Sequence, residues 1–189
     1  MRVISGKFKG KNLSFVSNEE LRPTANMVRQ ALFTKLQFEI SGKRFLDLFG
    51  GSGAIGIEAL SRGALRVVFV DKSPLAINII KQNISNTITG NRQFEVVHAD
   101  FRRALETLLE EFDFIFLDPP YKSNFYLEAA NLILKNNLLS NGGMLICEHE
   151  AKSPFEISGF KVISRKKYGT KMLSYFMKEE DSQLPPNSD

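Results

Sequence analysis

Five short apolar runs, near residues 45–49, 67–71, 94–98, 113–118 and 143–148, recur with a helix-length segment between successive members. That alternation leaves few folds open, because strands joined by helical crossovers pair in parallel and need helices over both faces. The chain is therefore expected to form an α/β, doubly wound, mainly parallel sheet. Helices are expected over 54–61, 74–85, 102–111 and 125–136, with Ser73 as cap and Pro74 at the first turn of the second. Upstream, RPTANMVRQALFTKLQF places Met27, Ala31, Leu32 and Leu36 on one helical face. Near the end, FKVISRKKYGTKMLSYFMK reads as two strands around a Tyr168-Gly169 turn, an antiparallel hairpin on one edge of the sheet.

The 189 residues, 43% of them hydrophobic, suit one domain with a sizeable core, expected over 1–178 with a basic N-terminal extension over 1–44. The polar end EEDSQLPPNSD makes 179–189 an expected disordered tail. Cys147 is the only cysteine, which excludes a disulfide frame and a cysteine-based metal site and suits a reducing cytoplasm. No apolar run approaches 18 residues and MRVISGKFKGK lacks an apolar stretch behind it, so neither a membrane span nor a signal peptide is expected. The net charge of +4 is unevenly spread: residues 1–44 hold nine Lys or Arg against three Glu, and residues 152–178 hold seven against one. Basic ends around an acidic middle suit a polyanion held beside a site that prefers cations, with Arg22, Arg29, Arg165, Lys166 and Lys167 as the candidate phosphate contacts. Two solvated basic surfaces are the plainer alternative.

The strand ends carry the chemistry. Asp47 closes FLD, Asp71 closes VVFVD, Asp100 follows EVVHA and Asp118 closes FIFLD. Four successive strands thus deliver a carboxylate to the carboxyl edge, where open α/β sheets bind ligands. Any one of them could equally cap the helix that follows. Within DLFGGSGAIGIEAL, Gly51, Gly53 and Gly56 have GxGxxG spacing directly after the first strand, suiting a tight turn and close approach of a ligand to the backbone. Asp71, twenty residues after Gly51, suits an acceptor for ribose hydroxyls. NAD and S-adenosylmethionine both satisfy that much. Asp47 separates them, because a carboxylate ahead of the glycine loop would repel a pyrophosphate but suits an ammonium and a sulfonium. S-adenosylmethionine is the expected cofactor, with no metal. Asp100 and Phe101, in HADF, would then meet and wall the adenine, with ordinary core packing as the alternative for the ring.

The run FIFLDPPY adds a nucleophile's holder. Pro119 and Pro120 cannot join a strand ladder, so they stop the strand and fix an extended backbone. An exocyclic nucleobase amine is a poor nucleophile because its lone pair is delocalised into the ring. Asp118 and the Pro119 carbonyl offer two acceptors that would localise it, and Tyr121 offers a flat face for a splayed-out base, worth roughly 1–3 kcal/mol. His98 and His149 lack spaced partners and read as structural, and Glu148 and Glu150 as solvated or paired. Cys147 lacks a Pro-Cys context, which argues against a thiolate nucleophile.

The DPPY run after a strand resembles motif IV of class I S-adenosylmethionine-dependent amino-methyltransferases. Together RVISGKFKGKNL, RPTANMVRQALF, FLDLFGGSGAIGIEALSRGA, DPPY and KYGTKMLSYF resemble the RsmD-type 16S ribosomal RNA (guanine-N2)-methyltransferases over nearly the whole chain. The resemblance implies a Rossmann-like, seven-stranded methyltransferase fold. It further implies methylation of the N2 amine of one guanine in 16S rRNA within a small-subunit particle; separately, a monomer is expected, in the cytoplasm that the lone cysteine suits. Gly51, Gly53, Asp71 and Asp100 become cofactor positions, and Asp118, Pro119, Pro120 and Tyr121 the catalytic loop. Two other readings compete. An adenine-N6 DNA methyltransferase uses the same loop, but this chain leaves little room for an element that reads a duplex groove. A non-catalytic RNA-binding module would account for the basic ends and not for the four acids.

Overall fold

The computed structural model describes residues 1–16, 23–90, 93–120 and 124–179. Arg22 and Tyr121 among the candidate site residues, and the expected tail from residue 180 onward, lie outside them. The elements run α1 (Pro23–Lys35), β1 (Arg44–Asp47), α2 (Ala54–Ser61), β2 (Arg66–Asp71), α3 (Pro74–Thr87), β3 (Gln93–His98), α4 (Phe101–Thr107), β4 (Phe112–Leu117), α5 (Phe125–Lys135), β5 (Leu139–Glu150), β6 (Phe160–Tyr168) and β7 (Lys171–Lys178). The seven strands form one sheet in the order β3-β2-β1-β4-β5-β7-β6. The first five run parallel, and β7 enters antiparallel between β5 and β6. This is the mainly parallel, seven-stranded sheet with an antiparallel C-terminal hairpin expected from the sequence.

Period-two alternation places successive strand residues on opposite faces. On one face Phe45, Val67, Phe69, Phe114, Phe116 and Tyr175 meet α1, α2 and α3. On the other Leu46, Val68, Val70, Ile115, Leu117 and Phe176 meet α4 and α5. Each fully buried Phe or Leu contributes on the order of 1.5–3 kcal/mol, which makes these two layers the main source of stability. The chain order reverses at β1, where the path turns from β3-β2 on one side to β4-β5 on the other. Such a switch point opens a crevice at the carboxyl edge.

The N-terminal segment is fastened to the sheet's helices by buried polar groups. Glu58 of α2, fully buried, accepts from the backbone N–H of Ile4 at 2.8 Å and of Ser5 at 2.9 Å, and pairs with Arg62 at 2.8 Å. Asn83 of α3 accepts from Ser14 N and donates to the carbonyls of Ser14 and Ser52, all at 2.8 Å. Val3, Phe8 and Leu13 add an apolar underside to this segment.

Three local expectations are corrected. The α1 face that packs consists of Val28, Arg29, Leu32 and Phe33, continued by Leu36, while Met27 is left 44% exposed. A buried arginine in that stripe hides the true periodicity. Helix α4 ends at Thr107 and not at residue 111, because Leu108 is already extended (ψ 131°) and residues 108–111 are needed to carry the chain back into β4. Strand β5 begins at Leu139, since Leu139 pairs with Phe112 before a register shift that brings Met144 opposite Phe114.

Candidate active site

A cavity of about 500 Å³ opens at the carboxyl edge of β1, β2, β3 and β4. Asp71, Asp100 and Asp118 line it, together with Gly51, Phe101, Pro119 and Pro120. Asp47 lines a smaller neighbouring cavity of about 130 Å³, where it is joined by Gly51, Asp118 and Glu148. The four strand-end acids are therefore gathered at one edge, as the sequence pattern requires.

The glycine loop is shaped for this place. Gly51 (φ 54°) and Gly53 (φ 76°) occupy left-handed conformations that a side chain would strain. Gly56 lets α2 close onto β2, since a Cβ there would lie 2.2 Å from the Phe69 ring. Asp71 spans the loop and the next turn: one oxygen accepts from Gly51 N at 2.9 Å and the other from Ser73 N at 2.8 Å. Asp100 caps α4 by accepting from Arg102 N at 3.1 Å and pairs with the Arg102 guanidinium at 3.2 Å. Asp47, 1% exposed, accepts from Gly56 N at 3.1 Å in the first turn of α2. At each of these three acids a carboxylate oxygen fixes backbone at the edge of a cavity.

Phe101 belongs to an aromatic wall that the sequence pattern does not reveal. Its ring lies 5.3 Å from Phe49 and 5.0 Å from Phe125, and Phe49 and Phe125 are parallel to within 2°. Arg102 covers Phe101 at 4.4 Å and Phe125 at 5.0 Å, and its Nη2 reaches Glu128 of α5 at 2.6 Å. All three rings border the main cavity and give it an aromatic, apolar side that suits an aromatic base.

The opposite wall also holds residues that sequence reasoning passes over. Glu148, at 9% exposure, lines both cavities and pairs with Lys171 at 3.2 Å. Burial, and then the nearby charge of Asp118, push its carboxyl well above the usual range. Of the two sequence expectations, solvated or paired, the second holds, and the residue also faces the site. Its place at the carboxyl end of β5 is the same signal that singles out the four aspartates. Thr170 and Lys171 bring the β6–β7 hairpin into the main cavity.

The basic candidates divide. Lys166 and Lys167 are exposed on β6. Arg165 is partly buried, donating to the Phe155 carbonyl and pairing with Glu156 at 2.9 Å. Arg29 is 3% exposed, donates to the Arg2 carbonyl at 2.7 Å and borders the smaller cavity, so its place is inside the fold and not on a phosphate-binding surface. Of the histidines, buried His149 contacts Ser174 Oγ at 2.7 Å, and exposed His98 contacts the Lys72 carbonyl at 3.1 Å. Among the described residues no group of three or more His, Cys, Asp or Glu could hold a metal ion, and no helix is long and apolar enough to cross a membrane.

Residues 1–177 match the family described as Conserved hypothetical protein 95. YlbH of Bacillus subtilis is 37% identical over 183 residues, covering 94% of this chain and 99% of that one. Ribosomal RNA small subunit methyltransferase D of Haemophilus influenzae is 34% identical over 157 residues, covering 82% and 81%. Among solved structures, yhhF of Escherichia coli superposes with a TM-score of 0.83 at 28% identity, covering 95% of this chain and 98% of that one. With the family match spanning nearly the whole chain and the superposition in agreement, the chain belongs to the Conserved hypothetical protein 95 family, the RsmD-type methyltransferases.

Proposed function

We propose that this protein methylates the N2 amine of a guanine in small-subunit ribosomal RNA, with S-adenosylmethionine as donor, as a cytoplasmic monomer acting on the subunit or an assembly particle. The observation that carries the reading is that one cavity is lined both by Gly51, Asp71, Asp100, Phe49 and Phe101 and by Asp118-Pro119-Pro120. Relatives named small subunit rRNA methyltransferase D support the substrate class. The residues present fit the donor. Asp71 offers acceptors to ribose hydroxyls, the aromatic wall suits adenine, and Asp47 and its neighbours suit the donor's ammonium and sulfonium.

The bound donor supplies an electrophilic methyl group, and the rest falls to the chain's own residues. Pro119 and Pro120 hold the segment after β4 extended. Asp118 and the Pro119 carbonyl accept from the target amine and draw its lone pair out of conjugation. Asp118 keeps its hydrogen bond as the nitrogen becomes electron-poor, so the interaction strengthens toward the transition state. Tyr121 stacks on the extruded base. Exposed Lys166 and Lys167, with Lys7, Lys9 and Lys11 on the N-terminal segment, offer phosphate contacts. The test is incubation with labelled methyl donor and undermethylated small-subunit particles, then identification of the modified nucleoside by mass spectrometry. N2-methylguanosine is expected; N6-methyladenosine, or no transfer, would refute the reading.

A further inference from the structure

Strand β4 ends at Leu117, while its neighbour β5 runs on to Glu150, paired with β7. Leu117 pairs with Cys147 in parallel register, so the next residues, Asp118 and Glu148, emerge together on one face of the sheet. Both border the main cavity and its smaller neighbour. Lys171, at the start of β7, places its ammonium 3.2 Å from the Glu148 carboxylate and borders the main cavity as well. Withdrawing a carboxylate and an ammonium from water is costly, and the transfer chemistry derived above uses neither.

Their order matches one base edge. Guanine presents, in a row, the N2 amine as donor, N1–H as donor and O6 as acceptor. Adenine and cytosine place a ring-nitrogen acceptor beside their amine. Asp118, Glu148 and Lys171 present acceptor, acceptor and donor. We propose that Glu148 determines specificity by accepting the N1–H of the target guanine, with Lys171 set to meet O6, so that the site rejects amine-bearing bases whose neighbouring ring nitrogen is an acceptor. This rests on the guanine-N2 reading and explains how a loop shared with adenine-specific enzymes acts on guanine. A carboxyl pushed upward by burial still offers an oxygen to N1–H in either protonation state.

The test uses RNA in which the methylated guanine, once mapped, is replaced by 2,6-diaminopurine. That base keeps the 2-amine but has an acceptor at N1 and an amine at position 6. The parent should prefer guanine in kcat/KM by about ten- to a hundredfold, the scale of one mismatched buried hydrogen bond. Glu148→Gln, isosteric, should shrink that preference, because a rotated amide donates to the diaminopurine N1. Glu148→Leu should shrink it by losing the guanine partner. Thermal unfolding and titration with S-adenosylhomocysteine identify folded variants, and Glu148→Gln carries the test alone if the leucine variant does not fold. A preference unchanged in Glu148→Gln, or absent in the parent, overturns the inference. If the parent methylates neither base, the guanine-N2 reading itself fails.

Discussion

Replacing Asp71 by alanine removes the carboxylate that ties Gly51 N (2.9 Å) to Ser73 N (2.8 Å) at the rim of the main cavity. With a donor bound, the same group is assigned the two ribose hydroxyls. Each hydrogen bond to a charged acceptor contributes about 1.5–3 kcal/mol, so losing two predicts roughly 3–6 kcal/mol, or at least about a hundredfold weaker binding. The free protein should lose much less, about 1 kcal/mol, since the two N–H groups lie at a partly exposed edge where water can replace the acceptor. That corresponds to a fall in Tm of about 2–4 °C for a domain of this size. Calorimetric titration with S-adenosylhomocysteine, alongside thermal unfolding, separates the two effects. Asp71→Asn, which keeps one acceptor, should fall between. Unchanged affinity in Asp71→Ala would show that the carboxylate only staples the backbone, and would refute the ribose assignment.

Lys166→Ala with Lys167→Ala should flatten the salt dependence of RNA binding by about one unit of slope for each phosphate left without its lysine, with cofactor affinity unchanged. Arg29→Ala should instead lower Tm without altering that slope, because its guanidinium is committed to the Arg2 carbonyl. Tyr121→Ala should raise the RNA concentration needed for half-maximal rate, and Tyr121→Phe should be mild, since stacking needs the ring and not the hydroxyl. Burial, and to a lesser degree Arg165, lower the His149 pKa from its usual value of 6.5. Below about pH 6.5 the unfolded chain therefore binds more protons at this site than the native one, and the stability His149 contributes is lost as pH falls. His149→Gln should flatten the slope of unfolding free energy against pH in that range, as measured by denaturant titration.

Asp47, Asp71 and Asp118 were legible because each closes an apolar run that can end only at the sheet's edge, and Asp100 because it follows the β-branched pair of EVVHA at the matching place in the strand–helix alternation. The glycine loop was legible for a similar reason, since positive φ at Gly51 and Gly53 and contact with Phe69 at Gly56 leave no room for side chains. What stayed hidden depends on which strands become neighbours. Glu148 and Lys171 lie 23 positions apart and meet because β7 inserts beside β5. Phe49 and Phe125 meet because the first residue of α5 comes beside the loop that leaves β1. Arg29 misled because a basic residue on an amphipathic helix reads as surface, whereas it is buried and donates to the Arg2 carbonyl, a partner far away in sequence. Helix α4 was overestimated because the apolar residues of its exit, Leu108 and Leu109, continue the helical pattern after the backbone has left it.

The central claim is that Asp118 activates the target amine, and single-turnover methylation of small-subunit particles by Asp118→Ala tests it most directly. Asp118 is assigned its full interaction only as the methyl group is transferred. The rate should therefore fall about a hundredfold or more, the usual scale for losing one preorganised polar group, while S-adenosylhomocysteine binds nearly as in the parent. Asp118→Asn should do less harm, because its amide oxygen still accepts one bond. Methylation by Asp118→Ala at the parent rate would mean that another group activates the amine, and would contradict the account.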